Sequence, residues 1–282
     1  MKHRQTDIDG TAPRHLRTLK SLPRRIYGHR LALPNRAIRQ HHRHPWIQLS
    51  HAAQGVLQVA TATGRFIVPP LHAVWIPAGV PHGVACSKDT EMRSLYIDPG
   101  AAAAGWTECR VLAVDPLLRE LIRAFGQLPA EYDEHGPDGR LVDVLLDRLA
   151  AAPEAGMMLP WPLDARLRRL CDRLQAQPDS RETLAEHARE LGVSAKTLSR
   201  LFLRQTGLNF RLWRQRARLL AALPLLERGV RITDVALACG YDSMSAFIAA
   251  FREQMGATPG EFFAAARPAG NGGESGTESR RR

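Results

Sequence analysis

The sequence predicts an α+β protein in which a small β-barrel precedes an all-α domain with two helix-turn-helix units. Two observations support this prediction. Short β-rich segments alternate with turn residues from residue 46 to residue 99, which is typical of a small barrel or sandwich. A helical pattern then occurs twice in the C-terminal third, at a separation of 49 residues. The chain has 282 residues, of which 44% are hydrophobic, and is therefore long enough for two cores.

The charge of the chain changes sign along its length and marks a domain boundary. Residues 1–43 contain 11 Lys and Arg against two acidic residues, and residues 44–162 contain eight against 13. Residues 163–268 again have an excess of positive charge, with 17 Lys and Arg against 11 acidic residues. A surface that binds a polyanion is a local excess of positive charge. The change near residue 160, within "GMMLPWPLD", therefore indicates a linker that precedes a basic domain.

Several classes of protein are disfavoured by composition. The four cysteines lie far apart without a C-x-x-C pair, and the basic N-terminus leads into no apolar signal segment. No apolar stretch approaches the roughly 18–20 residues needed to cross a bilayer. We therefore expect a reduced, cytoplasmic protein that does not span a membrane.

The β-rich segments place three histidines inside the predicted barrel. His42 and His44 alternate, so both side chains point to one face of a strand, and His82 follows a Pro-Ala-Gly turn that brings it towards them. Three imidazoles form a ligand set for a divalent transition metal. The predicted strands are "WIQLSHA", "GVLQVATA", "GRFIVPP", "HAVWIPAG", "PHGVACS" and "MRSLYIDP".

Two helices follow the barrel. The first begins with Asp115 at the N-cap and Pro116 at the first helical position. The second, "GRLVDVLLDRLAAAP", has an apolar stripe that either docks on the barrel or pairs with a second subunit. That stripe consists of Leu141, Val142, Leu145, Leu146 and Leu149.

The 49-residue repeat has the features of two helix-turn-helix units. In each copy a serine caps a helix N-terminus, two apolar residues lie four and eight positions later, and a glycine ends the helix. A short apolar helix precedes each copy and is joined to it by Gly192 or Gly240. The paired residues are Ser194 and Ser243, Leu198 and Phe247, Phe202 and Phe251, and Gly207 and Gly256.

These residues also resemble a known family. "ITDVALACGYDSMSAFIAAFREQMGATPGEFF" resembles the signature of the AraC/XylS family of bacterial transcriptional regulators, and "LAEHARELGVSAKTLSRLFLRQTGLNFRLWRQRARLLAAL" is similar to its first unit with the connecting helix. The resemblance implies that two recognition helices enter successive major grooves of double-stranded DNA, about 34 Å apart. It also favours a homodimer, with RNA polymerase as a further partner.

The resemblance assigns groove-facing positions in both recognition helices. In the first helix Arg200 is suited to bidentate contact with a guanine, while a solvated charged face is the alternative. The second helix is poor in hydrogen-bond donors, which predicts weaker discrimination among bases. The predicted DNA-binding residues are Lys196, Ser199, Arg200, Arg204, Arg214, Met244, Ser245 and Ile248.

The connecting helix "FRLWRQRARLLAALPLLERG" departs from expectation at Pro224. An interior proline removes one backbone hydrogen bond and usually kinks the helix. Among its arginines Arg211, Arg214, Arg216 and Arg218 are candidates for phosphate contacts, with structural or solvated roles as alternatives.

The barrel segment resembles the two cupin motifs through "HHRHPWIQLS" and "PAGVPH". The fold class is therefore α+β, a cupin-like β-barrel followed by the all-α double helix-turn-helix domain. Gln48 occupies the position at which metal-binding cupins have Glu. Cys86 occupies the position at which the second cupin motif often has Asn. Three alternatives are open: a divalent metal on His42, His44 and His82, an organic effector in the same pocket, and purely structural histidines. The predicted effector pocket comprises His42, His44, Trp46, Gln48 and His82, whereas His41 and His51 are predicted at the surface.

The whole sequence predicts a DNA-binding transcriptional regulator controlled by a small-molecule or metal effector, and not an enzyme. A metal-dependent cupin enzyme fused to a DNA-binding module is the alternative, and an architectural DNA-binding protein a third class. "HxHPWxQL", "VWIPAGVPH" and "MRSLY" resemble the branch with a repressor of a nitroimidazole-efflux gene, which suggests a transporter or detoxification target. The predicted regions are a basic arm (1–39), a sensor (40–112), a helical dimerisation or linker region (113–160), the DNA-binding domain (161–267) and a disordered tail (268–282). Three alternatives are open for the basic arm: it touches DNA, it covers the pocket, or it is disordered.

Overall fold

A computed structural model describes residues 19–30, 38–86, 90–102 and 105–264. The predicted tail and a large part of the predicted basic arm, residues 1–18 and 31–37, lie outside the described residues.

The N-terminal half contains two antiparallel sheets. The six-stranded sheet has the order β1-β8-β3-β6-β9-β10, and the five-stranded sheet has the order β11-β5-β4-β7-β2. All six strands predicted from residue 46 onward are present, and the cupin-like fold class is confirmed. The strands are β1 (Ile26–Arg30), β2 (Ile38–His42), β3 (Ile47–Gln54), β4 (Leu57–Ala60), β5 (Gly64–Val68), β6 (His72–Ile76), β7 (His82–Cys86), β8 (Glu91–Ile97), β9 (Arg110–Ala113), β10 (Glu154–Ala155) and β11 (Met158–Pro160).

The two sheets include strands that lie outside residues 40–112, the range predicted for the barrel domain. Strand β1 lies inside the predicted basic arm and pairs with β8, with Ile26 opposite Ile97. Strands β10 and β11 lie inside the region predicted to be helical and extend the two sheets at β9 and β5. These strands are two to five residues long, too short to show a clear alternation, and their edges are fixed by tertiary pairing.

The six-stranded sheet is buried on both faces. One face points into the barrel, and the other packs against helices α1 (Pro116–Phe125) and α2 (Pro137–Ala150). At Gly28 of β1 an added Cβ would lie 2.7 Å from Cε1 of Phe125, so the glycine permits the close approach of α1. Arg24 donates to the carbonyl of Tyr132 at 2.8 Å and Arg25 pairs with Asp143 at 2.7 Å, which fastens the segment just before β1 to this layer.

The apolar stripe of α2 docks within the chain. Asp115 caps α1 as predicted, since its carboxylate accepts from the Leu118 amide at 2.7 Å. Leu145 is fully buried and belongs to the core between α2 and the six-stranded sheet. The stripe docks on the barrel, which is one of the two roles predicted for it, and pairing with a second subunit stays a prediction.

The C-terminal half is helical. The connecting helix α6 stays helical through Pro224, where a kink was predicted. The helices are α3 (Ala165–Ala176), α4 (Leu184–Glu190), α5 (Ala195–Thr206), α6 (Phe210–Glu227), α7 (Ile232–Ala238), α8 (Met244–Met255) and α9 (Pro259–Ala264).

The two halves meet at Trp213 of α6. Its indole N–H donates to the carbonyl of Pro160 at 2.8 Å, and its ring lies 5.8 Å from that of Trp161. Further contacts lie at the far end of α6 and at α9. The amide of Gly55 donates to Glu227 at 2.9 Å, and the Phe262 ring stacks on His72 with a centroid separation of 5.6 Å. One buried cluster therefore runs from the barrel into the helical domain.

A pair of neighbours on α2 tests the docking of this helix. Leu145 is fully buried, whereas Val144 is 45% exposed. We expect Leu145→Ala to lower the free energy of unfolding by about 2–5 kcal/mol, because truncation leaves a cavity in the core. Val144→Ala should change it by less than about 0.5 kcal/mol. Urea unfolding of both variants measures the difference, and equal losses would contradict the packing of α2.

Candidate nucleic-acid interface and sensor pocket

The first helix-turn-helix unit consists of α4 and α5. Gly192 has φ +67° and makes the turn between them. Ser194 caps α5 through a hydrogen bond from the Thr197 amide at 3.1 Å, and Gly207 ends the helix with φ +70°. Leu198 and Phe202 are fully buried. The sequence therefore assigned the cap, the inward face and the end of this helix correctly.

The second unit, α7 and α8, repeats this construction. Gly240 makes the turn with φ +75°, and the Ser243 hydroxyl accepts from the Ala246 amide at 3.2 Å. Phe247 and Phe251 are fully buried, and Gly256 ends α8 with φ +78°. Thr258 and Glu261 then form a reciprocal capping box at the start of α9. The 49-residue repeat is thus a repeat of structure.

The outward faces of the two recognition helices differ in chemistry. On α5 the predicted residues Lys196, Arg200 and Arg204 are exposed, and Ser199 is half-buried. On α8 Met244 and Ser245 are exposed and Ile248 is half-buried. The α5 face is cationic and rich in donors, whereas the α8 face is mainly apolar.

Three buried histidines meet inside the barrel as predicted. His42, His44 and His82 offer ring nitrogens that all lie within 4.8 Å of one another. The ring centroids of His42 and His82 are 4.4 Å apart, and those of His44 and His82 are 5.2 Å apart. Gln48 lies beside them and is also buried. The three histidines that the sequence predicted to face one pocket therefore lie together in the structure.

Backbone carbonyls fix the tautomers of two of these histidines. Nδ1 of His44 lies 2.8 Å from the carbonyl of Trp46, and Nδ1 of His82 lies 2.9 Å from the carbonyl of Val80. A carbonyl only accepts, so both Nδ1 atoms carry the proton. Burial lowers the pKa of both rings, that of His82 to about 3, so both are neutral near pH 7. Each Nε2 therefore presents a lone pair.

Both lone pairs point at the side chain of Gln48. Nε2 of His44 and of His82 lie 2.8 and 3.1 Å from Oε1 of Gln48, while its Nε2 donates to Ser50 at 2.7 Å. Three acceptors thus converge, and two arrangements resolve their repulsion. A bound cation accepts all three lone pairs, or a reversed amide donates one N–H to each imidazole. The residues present therefore fit a divalent transition metal, although they supply no negative charge.

An aromatic rim closes the pocket. The ring of Tyr96 lies 5.4 Å from that of His44, and Trp46 stacks on His44 at 6.1 Å. Leu19 and Leu22, from the segment predicted to be an arm, pack on Trp46 and Tyr96. Part of the predicted arm therefore packs against the aromatic rim, and the roles predicted for the arm stay predictions.

Two further residues refine the sequence predictions. His51 was predicted at the surface but is buried, with 8% of its side chain exposed, because β3 belongs to a sheet covered on both faces. Burial raises the pKa of the Cys86 thiol to about 11, so the thiol is protonated near pH 7.

Comparison with known proteins decides the family. Residues 25–192 match the AraC-like ligand binding domain, and residues 187–265 match a helix-turn-helix domain. The chain is 34% identical over 223 residues to the HTH-type transcriptional regulator NimR of Escherichia coli K12, covering 79% of this chain and 81% of NimR. The chain belongs to the AraC family of transcriptional regulators. It is a DNA-binding regulator with a ligand-binding domain.

Other relatives of this regulator match over shorter lengths. The arabinose operon regulatory protein of Escherichia coli K12 is 32% identical over 52% of this chain and 49% of its own. The DNA-binding domain of AdpA, solved in complex with a target DNA, is 28% identical over 37% of this chain and 98% of its own, with a TM-score of 0.35. Among the described residues of the regulator, no helix is both long and apolar enough to span a membrane.

The arginines of α6 brace the regulator's two helix-turn-helix units. Arg214 donates to the carbonyls of Ser180 and Glu182, and Arg218 donates to Pro178 at 2.8 Å and to Ser180 at 2.9 Å. The loop that precedes α4 is therefore tied to α6. Sequence reasoning assigned Arg214 to DNA phosphate; that role stays a prediction, and the structure shows its guanidinium engaged within the protein.

The same loop reaches the second unit. Arg181 pairs with Asp242 at 2.8 Å, next to the turn of α7 and α8. At Gly240 an added Cβ would lie 2.7 Å from Nη2 of Arg218 and 2.9 Å from the Cα of Asp179. These contacts, between residues remote in sequence, set how the two units sit on α6. Spacing within the repeat gave no signal for them.

Two arginines of α6 allow the hydrogen bonds of Arg214 to the loop to be distinguished from the effect of removing any positive charge. Arg214 is half-buried, whereas Arg211 is exposed one turn earlier. We expect Arg214→Ala to lower the free energy of unfolding by about 1–3 kcal/mol, because two loop carbonyls lose a charged donor. Arg211→Ala should leave it within about 0.5 kcal/mol of the wild type. Thermal and urea unfolding measure both; an unchanged Arg214→Ala protein would show that the loop is not held by this side chain.

Proposed function

We propose that this regulator reads DNA with α5 and α8 in successive major grooves and that the histidine pocket senses an effector. The single observation that supports the first part is the cationic outward face of α5, which lies opposite the buried Leu198 and Phe202. Lys196 and Arg200 are then the residues that contact base edges, with Ser199 and Arg204 beside them. A guanidinium matches the two acceptors of a guanine in the major groove.

The second recognition helix contributes differently. Met244, Ser245 and Ile248 lie on its outward side and can contact thymine methyl groups or support the helix on the backbone. Arg252 is the one basic residue within Met244–Met255, and it borders the same surface as Ser245 and Ile248. We therefore assign Arg252 to a DNA phosphate, a role that the sequence prediction omitted.

Selection of bound sequences from a random duplex pool tests the DNA-binding proposal. The wild type should recover two conserved half-sites one helical turn apart, the half-site of α5 more sharply defined than that of α8. Arg200→Ala should lose about 1–3 kcal/mol of specific binding and relax one base position. The control is Arg140→Ala, at an exposed arginine of α2. Equal losses for Arg200→Ala on specific and random DNA would exclude a base-reading role.

We propose that the sensor pocket holds a divalent transition metal on His42, His44 and His82, and that Trp46 and Gln48 complete the effector site. The support is that ring nitrogens of the three histidines lie within 4.8 Å of one another and that the lone pairs of His44 and His82 point at Oε1 of Gln48. When bound, such a metal supplies a Lewis-acidic position that a coordinating effector can occupy. Among the described residues, the group with metal-ligand geometry contains no carboxylate. This favours sensing over catalysis, which often relies on such a ligand or base.

Exchanging Gln48 tests the metal proposal. Gln48→Glu adds a negative charge to a neutral ligand set, so we expect affinity for Ni²⁺, Co²⁺ or Zn²⁺ to rise at least about tenfold. Gln58→Glu, at an exposed position of β4, is the matched control and should leave the metal affinity unchanged. His82→Ala should abolish both metal binding and the effector response while DNA binding persists. Metal content after dialysis and competition titration measure these effects; equal metal content in wild type and His82→Ala would place the metal elsewhere.

The proposals on subunit partners, RNA polymerase and target genes rest on the resemblance to the family. We propose a cytoplasmic homodimer that acts on RNA polymerase at its target promoter. Transporter or detoxification genes are the proposed targets, on the sequence resemblance around "HxHPWxQL" and "VWIPAGVPH". Analytical ultracentrifugation with and without operator DNA tests the dimer.

A further inference from the structure

A cleft separates the five-stranded sheet from the helical domain, away from the histidine pocket. Its volume is about 730 Å³, within the range of small-molecule sites, about 300–1,000 Å³. Gln58 and Ile67 are cross-strand neighbours that line it, whereas the adjacent pair Leu57 and Val68 is fully buried on the opposite face. The cleft therefore lies on the outer face of the sheet, with α3 and α6 as its other wall.

Arg65 of β5 is a fixed cation at this cleft. Its Nη1 donates to the carbonyls of Thr61 at 2.9 Å and Gly64 at 3.3 Å, and its guanidinium lies 4.3 Å from the centre of the Trp161 ring. These contacts hold the side chain in one position before any ligand arrives, which reduces the entropy lost on binding. A guanidinium has five N–H donors, so donors remain for a ligand.

The charge of Arg65 is only weakly compensated. It is half-buried, and burial lowers its pKa. Among the described residues, none of the ion pairs involves Arg65. Asp172 attracts it from across the cleft, and the neighbouring Arg168 opposes that attraction. A partly desolvated guanidinium without a paired carboxylate favours an anion, and its planar fork fits a carboxylate.

The α6 part of the opposite wall is apolar, whereas α3 contributes Asp172 and Gln175. Leu220, Ala221 and Pro224 lie on the α6 part. Pro224 has no N–H, so the carbonyl of Leu220 cannot accept the usual helical hydrogen bond. The proline that interrupts the pattern of the connecting helix thus lies on the wall of a cavity. It provides an apolar ring and leaves one backbone acceptor beside it.

We propose that this cleft binds a small organic carboxylate with an apolar body. The carboxylate pairs with Arg65, and the body packs against Ile67, Leu220 and Pro224. A ligand held in this way touches the sensor and the helical domain together. It therefore favours one packing of the two domains and changes DNA affinity by the ratio of its affinities for the alternative packings.

Calorimetric titration of the full-length protein without DNA tests the site. Cyclohexanecarboxylate and phenylacetate are the probes, and their amides are neutral controls of the same shape. We expect saturable binding of the carboxylates at one site per chain and at least about tenfold weaker binding of the amides. Arg65→Gln should weaken carboxylate binding at least about tenfold, while Arg140→Gln should leave it unchanged.

A further variant tests the cleft without changing Arg65. Ala221→Phe fills the cleft without touching Arg65 and should abolish binding even where Arg65→Gln disturbs the fold. Ala221 lies on α6, outside the barrel, so loss of binding in this variant also separates the cleft from the histidine pocket. Absence of saturable binding to the wild type, or binding to Ala221→Phe equal to that of the wild type, would overturn the proposal.

Discussion

The packing of Trp213 is the contact on which the architecture of the chain depends. The side chain is fully buried and sits where three parts of the molecule meet. Its indole N–H satisfies the carbonyl of Pro160 at the end of the sensor, and its ring packs on Phe202, 5.5 Å away on the first recognition helix. A large ring with one polar edge suits this place, because it fills an apolar core and still uses its donor. The sensor, the connecting helix and the first recognition helix are thereby anchored to one side chain.

The barrel uses burial in a different way. Its interior holds imidazoles that burial keeps neutral, together with an amide and two hydroxyls. Burying a cluster of polar side chains costs free energy unless each donor has an acceptor. The orientation of the Gln48 amide decides which of its neighbours is satisfied, and Ser50 and Ser94, 2.8 Å apart, extend the network across the sheet. Gln48 of the pocket is therefore joined to a hydrogen-bond chain that runs through Ser50 to Ser94.

The sequence predicted local features better than long-range ones. Caps, turns and inward faces of the repeat followed from residues within one or two turns of each other, as at Ser194 and Gly207. The six central strands and the three clustered histidines followed from alternation. Strand β1 did not, because its place depends on pairing with β8, about 65 residues later. The engagement of Arg214 and the burial of His51 were missed for the same reason: each depends on an element distant along the chain.

The shared construction of the two helix-turn-helix units also has an evolutionary consequence. In each unit the serine cap, the two inward apolar residues and the terminal glycine hold the recognition helix, and none of them needs to contact a base. Residues on the outward face are consequently free to change without cost to folding. On the base-reading roles proposed for Lys196 and Arg200, exchange of either side chain would change operator preference while the scaffold of the unit stays the same. The binding specificity of such a regulator evolves on a scaffold that stays constant.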